Sequence, residues 1–494
     1  MIAAASEQRR SPLPVNQPPV DDRSKVLLQI RFLIWTYLVL LIFEGSLRKW
    51  VAPQLSNPLL LIRDPVVIVI YLLALRARIF PSNAATIFLG IIAVISSLAS
   101  LIVFLPYFSW GLMFELTMYG FRCNFLHLPL IFVMAKVFDE NDVKNIGWFI
   151  LLLMVPMSLI MVAQFKAAPD AFINRTVGLG EAQQLTAGSG KIRPAGTFSF
   201  ISGPVYYITV AAAFFIYGTL TRTAYKTWML LVSGLALLVG ISVSGSRACV
   251  VSVILVVLSI FVILIIRPKA VNQFGRVLLI SVVGLFLISR LPVFKEGVGI
   301  LSDRFTESAE AADTTIVRGL VRRTVSGFTE GLRNLDKPPI LGYGLGVGTA
   351  GGSRLLLGRA AFLLAEDEWS RVLLESGPIM GLAFLLWRVV LTLRIGYLSV
   401  RSLRGGAILP IVLFSCSFLP LLNGQLGQPT TLGFAVFLSG LCLAAIEGTK
   451  PSLPEVVSGQ LEPAGRPVPR RSAFATRLHG PDVGADTTNG FVDR

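Results

Sequence analysis

Two kinds of side chain are placed where they could act on a phosphorylated substrate: cations in short polar turns between long apolar runs, and a cluster of acids just before one such run. The cations are Arg48 and Lys49 in Glu44-Gly-Ser-Leu-Arg-Lys-Trp50, Lys191 and Arg193 in Lys191-Ile-Arg-Pro-Ala-Gly-Thr-Phe198, Arg247 in Ser244-Gly-Ser-Arg-Ala248, and Arg290. A guanidinium is a planar fork that matches phosphate oxygens. A set of them converging on one membrane face implies a membrane-borne phosphate or pyrophosphate. Taken singly, each also fits a side chain that snorkels to a headgroup. Arg247 stands in a hairpin of about five residues, which holds its charge at the membrane-water boundary.

The acids lie in Ala365-Glu-Asp-Glu-Trp-Ser-Arg-Val-Leu-Leu-Glu-Ser-Gly-Pro378. The pattern predicts a short helix with Asp367, Arg371 and Glu375 stacked at four-residue spacing, closed by Gly377 and Pro378. Glu366, Asp367 and Glu368 are candidate proton acceptors, and Arg371 a candidate clamp. The same residues also fit a dipole-favouring helix start and a surface ion-pair ladder. In the fourth apolar run Glu115 and Arg122 are seven residues apart, about two helical turns, so they share a face, unless the run begins later and both sit at the interface. The glycines of Leu341-Gly-Tyr-Gly-Leu-Gly-Val-Gly-Thr349 would let backbone N–H groups approach an anion, or would simply make a flexible, tightly turning loop. They lack the Gly-Lys-Ser/Thr that a nucleotide-binding loop requires. The two histidines, His127 and His479, exclude a multi-histidine metal centre, and His127 reads as a packed polar residue. Cys123, Cys249, Cys416 and Cys442 have no spacing that implies zinc or a disulfide framework.

These residues must be positioned by membrane helices. Of 494 residues 54% are hydrophobic and 15% charged, with mean hydropathy +0.72, against about a quarter charged in soluble domains. The net charge of +16 therefore suggests cations flanking membrane spans, not a nucleic-acid face. About twelve apolar runs are long enough to cross hydrocarbon: 26–43, 59–75, 84–105, 112–135, 146–165, 201–218, 226–243, 248–266, 274–291, 378–397, 407–422 and 430–447. The expected fold is all-α, a polytopic integral membrane protein. Spans 1–9 occupy 25–291, one large extracytoplasmic loop domain with short helices occupies 292–377, and spans 10–12 occupy 378–449. Residues 1–24 and 450–494 are rich in Pro, Ser, Gly and Arg and are expected to be disordered tails, the first without the features of a cleaved signal peptide. Alternate short loops carry Arg76 and Arg78, Lys136 and Lys144, Arg222 and Lys226, Arg267, Lys269 and Arg276, then Arg394, Arg401 and Arg404. Basic loops face the cytoplasm, which places both termini there.

Four short segments in order, Arg193-Pro-Ala-Gly-Thr-Phe198, Ser244-Gly-Ser-Arg-Ala248, Gly342-Tyr-Gly-Leu-Gly346 and Glu366-Asp-Glu-Trp-Ser-Arg-Val-Leu-Leu-Glu-Ser-Gly377, resemble the O-antigen ligase and polymerase superfamily of bacterial envelope polysaccharide assembly. The resemblance implies a metal-independent, cofactor-free glycosyltransferase of the bacterial cytoplasmic membrane, using an undecaprenyl-pyrophosphate-linked glycan as donor and a glycan or lipid acceptor in lipopolysaccharide or exopolysaccharide assembly. It also implies that Arg193 and Arg247 face the donor pyrophosphate; Arg48, Lys191, Arg122 and Arg371 are further substrate-binding candidates on residue type and position alone. Ligases of the family commonly start the acidic segment with a His-Asn-like pair, where this chain has Glu366 and Asp367. The competing classes are a small-anion transporter, for bicarbonate for example, whose site would lie near the bilayer midplane, and a non-catalytic assembly scaffold.

Overall fold

A computed structural model of the chain describes residues 20–177, 186–188, 190–221, 223–268, 286, 289–311, 327–333, 335, 337–359 and 361–448. The expected tails beyond these bounds, most of the run at 274–291, and Arg222, Lys269 and Arg276 lie outside the described residues. The chain is predominantly helical. Its first half runs α1 (Val20–Ser46), α2 (Arg63–Arg76), α3 (Ala84–Phe104), α4 (Trp110–Phe121), α5 (Leu130–Val137) and α6 (Glu140–Lys166). A two-stranded hairpin, β1 (Thr186–Gly188) with β2 (Lys191–Ile192), leads into α7 (Ser202–Leu220), α8 (Thr227–Val243), α9 (Arg247–Ile266), α10 (Pro292–Ala311), α11 (Ala350–Leu357), α12 (Glu368–Gly405), α13 (Leu409–Asn423) and α14 (Pro429–Glu447).

Local chemistry sets several helix starts. The Asn83 side chain accepts the Thr86 N–H at 2.9 Å before α3, and Asp139 and Asp142 cap each other's N–H groups before α6. Among the described residues nine helical segments are long and apolar enough to cross a membrane, and α8 and α13 are shorter apolar helices. The helices α7 and α14 are buried along nearly their whole length, and α14 packs on α5, α7 and α13. The outer helices instead expose large apolar side chains, such as Leu72 on α2, Ile91 and Leu98 on α3 and Ile265 on α9. An apolar belt of this kind would be a liability in water and suits hydrocarbon.

One element departs from a simple span. Along a single straight helix Glu368 and Arg388 would stand roughly 30 Å apart, at 1.5 Å per residue. Their side chains instead pair at 2.8 Å. The chain reverses at Gly377, with φ 74° and ψ 171°, so residues 368–376 fold back against 378–405. A Cβ at Gly377 would stand 2.1 Å from the Ile340 carbonyl, so this turn requires glycine. The break falls where Gly377 and Pro378 predict it.

Candidate functional site

The pair of segments carrying Arg193 and Arg247 meets at one end of the bundle. Arg193 follows β2 directly and precedes Pro194, whose ring favours extended backbone there. Arg247 opens α9 behind Ser246, whose hydroxyl accepts the Cys249 N–H at 3.4 Å. The Arg193 Cγ lies only 3.6 Å from where a side chain on Gly245 would begin, so the two segments are in contact. Both arginines line an open cavity of about 600 Å³, together with Arg304 of α10. Tyr206, Ser246, Ser252, Asn423, Gln428 and Thr431 add polar atoms to its wall, and Phe200 and Val251 apolar ones. Arg247 Nη1 donates to the Arg304 carbonyl at 3.2 Å, which ties α9 to α10 and aims the guanidinium.

Arg48 and Lys49 do not line this cavity; they hold the loop that follows Arg193. Both sit on a π-helical turn, Leu47–Val51, that prolongs α1. Arg48 donates to Glu44 at 3.0 Å, to the Ser56 carbonyl at 2.9 Å and to Ser199 Oγ at 3.2 Å. Lys49 Nζ donates to the Gly196 carbonyl at 2.7 Å, and Thr197 Oγ1 to the Ile42 carbonyl at 2.7 Å. Lys191 is paired with Glu296 of α10 at 3.3 Å. Arg290 stacks over Phe286 at 5.2 Å.

The acidic segment borders the same cavity from another side. Asp367 caps α12, its Oδ2 accepting the Ser370 N–H at 2.8 Å; Oδ1 has no protein partner among the described residues. Glu366 is exposed, and its carbonyl accepts a 2.6 Å bond from Gln425, a cavity residue. A Cβ on Gly327 would stand 3.3 Å from Asn423 Nδ2 and 4.0 Å from Asp367 Cβ, so Asp367 lies one residue's width from the cavity wall.

Glu368 and Arg371 are placed differently from that rim. Arg371 bonds both oxygens of Glu368 at 3.0 Å, Glu375 at 2.6 Å and Asn124 at 2.8 Å. Arg388 adds 2.8 Å to Glu368 and also donates to the Leu421 and Gly424 carbonyls. The ladder is therefore Glu368, Arg371 and Glu375, with Asp367 outside it. It is buried in the bundle instead of lying on the surface, because the fold-back at Gly377 turns it inward. Two acids and two guanidiniums cancel, as buried charges must. The glycine-rich loop packs against this group, Gly348 N–H donating to Glu375 Oε1 at 2.8 Å, and against α3, Leu345 N–H donating to Ser100 Oγ at 2.8 Å. The anion its backbone meets is a side chain of the protein itself.

A second buried chain of polar contacts runs Arg48, Glu44, Arg63, Tyr37, His127, Asp64, Arg122. Arg122 pairs with Asp64 at 2.5 Å and not with Glu115, which is exposed. His127 is wholly buried between Tyr37 and Asp64. Sequence reasoning passed over Arg63, Asp64, Arg304 and Arg388. Arg63, Asp64 and Arg388 had a signal, ionisable residues inside apolar runs. Arg304 had none, since α10 must first fold over α9.

Among the described residues no three His, Cys, Asp or Glu side chains cluster as metal ligands. No protein-family model matches the chain, and no curated protein matches it either.

Proposed function

We propose that this chain is a membrane glycosyltransferase that moves an undecaprenyl-pyrophosphate-linked glycan onto an acceptor hydroxyl, as an O-antigen ligase or polysaccharide polymerase of the bacterial inner membrane does. The observation that carries the reading is the convergence of Arg193, Arg247 and Arg304 on one open cavity at the ends of membrane-length helices. A diphosphate leaving group develops negative charge there, and placed guanidiniums stabilise charge where it develops. The acceptor oxygen loses its proton to Asp367 Oδ1 and bonds the anomeric carbon as the carbon–oxygen bond to pyrophosphate breaks. One displacement inverts the anomeric centre, by analogy with single-step glycosidases. Glu366 stands beside Asp367 as a second acceptor, whereas both oxygens of Glu368 are already taken by Arg371 and Arg388. Basic residues at the opposite end, among them Arg78, Lys136 and Arg394, support a cytoplasmic assignment for that end and for both termini.

The fold-back of α12 suits a small-anion transporter, whose sites use broken helices. Its arginines, however, are already neutralised by Glu368 and Glu375, so an anion finds no net charge there. Turnover of lipid-linked glycan in membranes carrying Arg247→Ala, Arg304→Ala or Asp367→Asn decides the matter. Each arginine change is expected to lower turnover about 10²–10³-fold. Wild-type rates in all three variants rule the transferase out. In a deletion strain, accumulated single repeats mark a polymerase and accumulated full-length chains a ligase.

A further inference from the structure

A second cleft, of about 660 Å³, opens at the other end of the bundle between the start of α1, the α2–α3 turn, the end of α5, α12 and the end of α14. On α14 alone, Gln428 beside the arginine cavity and Glu447 beside this cleft are separated by roughly 28 Å of helix rise. That distance is about one hydrocarbon thickness. The cleft gathers Arg23, Arg78, Lys136 and Arg394 around a single carboxylate, Glu447, over an apolar floor that includes Phe132 and Leu443. Lys136 Nζ bonds the Ile79 carbonyl at 3.1 Å, while Arg23, Arg78 and Arg394 have no ion pair among the described residues.

A cytoplasmic excess of basic residues accounts for cations at such an end but not for their convergence, nor for the backbone of Arg78. Arg78 is the only non-glycine with positive φ among the described residues, at 56°. It terminates α2 in a Schellman turn: Ile79 N–H bonds the Ala74 carbonyl at 2.9 Å and Arg78 N–H that of Leu75 at 3.0 Å. Glycine is the usual residue there, because a Cβ is disfavoured in the left-handed region. An arginine held in a strained position beside three other cations points to a bound anion.

We propose that this cleft binds the phosphate of an anionic phospholipid. Four cations face the headgroup, and the apolar floor distinguishes a lipid from free phosphate. The inference is independent of the transferase reading, since it concerns the opposite end of the bundle and its readout is lipid retention. The full chain in neutral detergent is titrated with dioleoyl-phosphatidylglycerol, with dioleoyl-phosphatidylcholine and with inorganic phosphate, and retained adducts are weighed by native mass spectrometry. Phosphatidylglycerol should be retained in preference to phosphatidylcholine. Arg78→Gly should weaken that retention about tenfold, the scale of one charge-assisted hydrogen bond. It should melt no earlier than the wild type, because glycine relieves the turn. Arg394→Ala should weaken retention similarly, and Arg401→Ala with Arg404→Ala, cations near the cleft but not lining it, should leave it unchanged. The proposal is overturned by equal retention of the two lipids, by an unaffected Arg78→Gly, by an equal loss in the Arg401 and Arg404 variant, or by inorganic phosphate displacing the lipid at millimolar concentration.

Discussion

A guanidinium carries five N–H donors, and what each arginine does here follows from whether it is buried among charged partners or lines a cavity. Arg371 and Arg388 are buried with their donors directed at Glu368, Glu375, Asn124 and backbone carbonyls, so they are structural. Arg247 faces a cavity and gives Nη1 to a carbonyl of α10. The same distinction separates two neighbouring acids and yields a paired prediction. Glu368→Gln leaves two buried guanidiniums short of a counter-charge and should destabilise the protein by about 3–5 kcal/mol, seen as a fall in melting temperature. Asp367→Asn keeps a good helix cap, so the fold should survive unchanged while lipid-linked glycan turnover drops by about 10²–10⁴-fold. A stable but inactive Glu368→Gln beside an active Asp367→Asn would exchange the two roles.

At the scale of elements, the fold-back of α12 is the decisive geometry. It delivers the cap residue Asp367 to the cavity rim and turns the ladder behind it inward, and it depends on one residue with a conformation open only to glycine. Gly377→Ala would force a Cβ against the Ile340 carbonyl and should cost at least about 3 kcal/mol. The expected signature is early thermal unfolding together with lost activity, whereas a wild-type melting curve would mean that the reversal is not held as described. The segment between the hairpin and α7 is also held by specific contacts. Arg48 and Lys49 are charged side chains acting as fasteners on residues 196–199, so Arg48→Ala should impair turnover indirectly, by loosening the segment that follows Arg193.

For the molecule as a whole, the two cavities lie at opposite ends of the buried helix α14. A chain spanning a membrane should therefore present them to different compartments. The native cysteines are all buried, so single introduced cysteines report cleanly. With an impermeant maleimide, Leu355→Cys on α11 should label in intact cells, and Thr223→Cys, in the turn between α7 and α8, only after permeabilisation. Labelling of both from one side would sink the transmembrane arrangement.

The amino-acid sequence by itself determined that the chain is a bundle of apolar helices, because length and hydropathy of a run need no tertiary contact to be read, and it marked the break at Gly377 and Pro378. It also singled out Arg193 and Arg247, since cations in tight turns between apolar runs are conspicuous. Only the tertiary structure decided which charges neutralise one another. Glu368 and Arg388, or Asp64 and Arg122, are 20 and 58 residues apart. Their pairing depends on how helices fold back and pack, and periodicity within one helix says nothing of that. Arg304 joins the cavity for the same reason: α10 must first close over α9 before its guanidinium has a site to face.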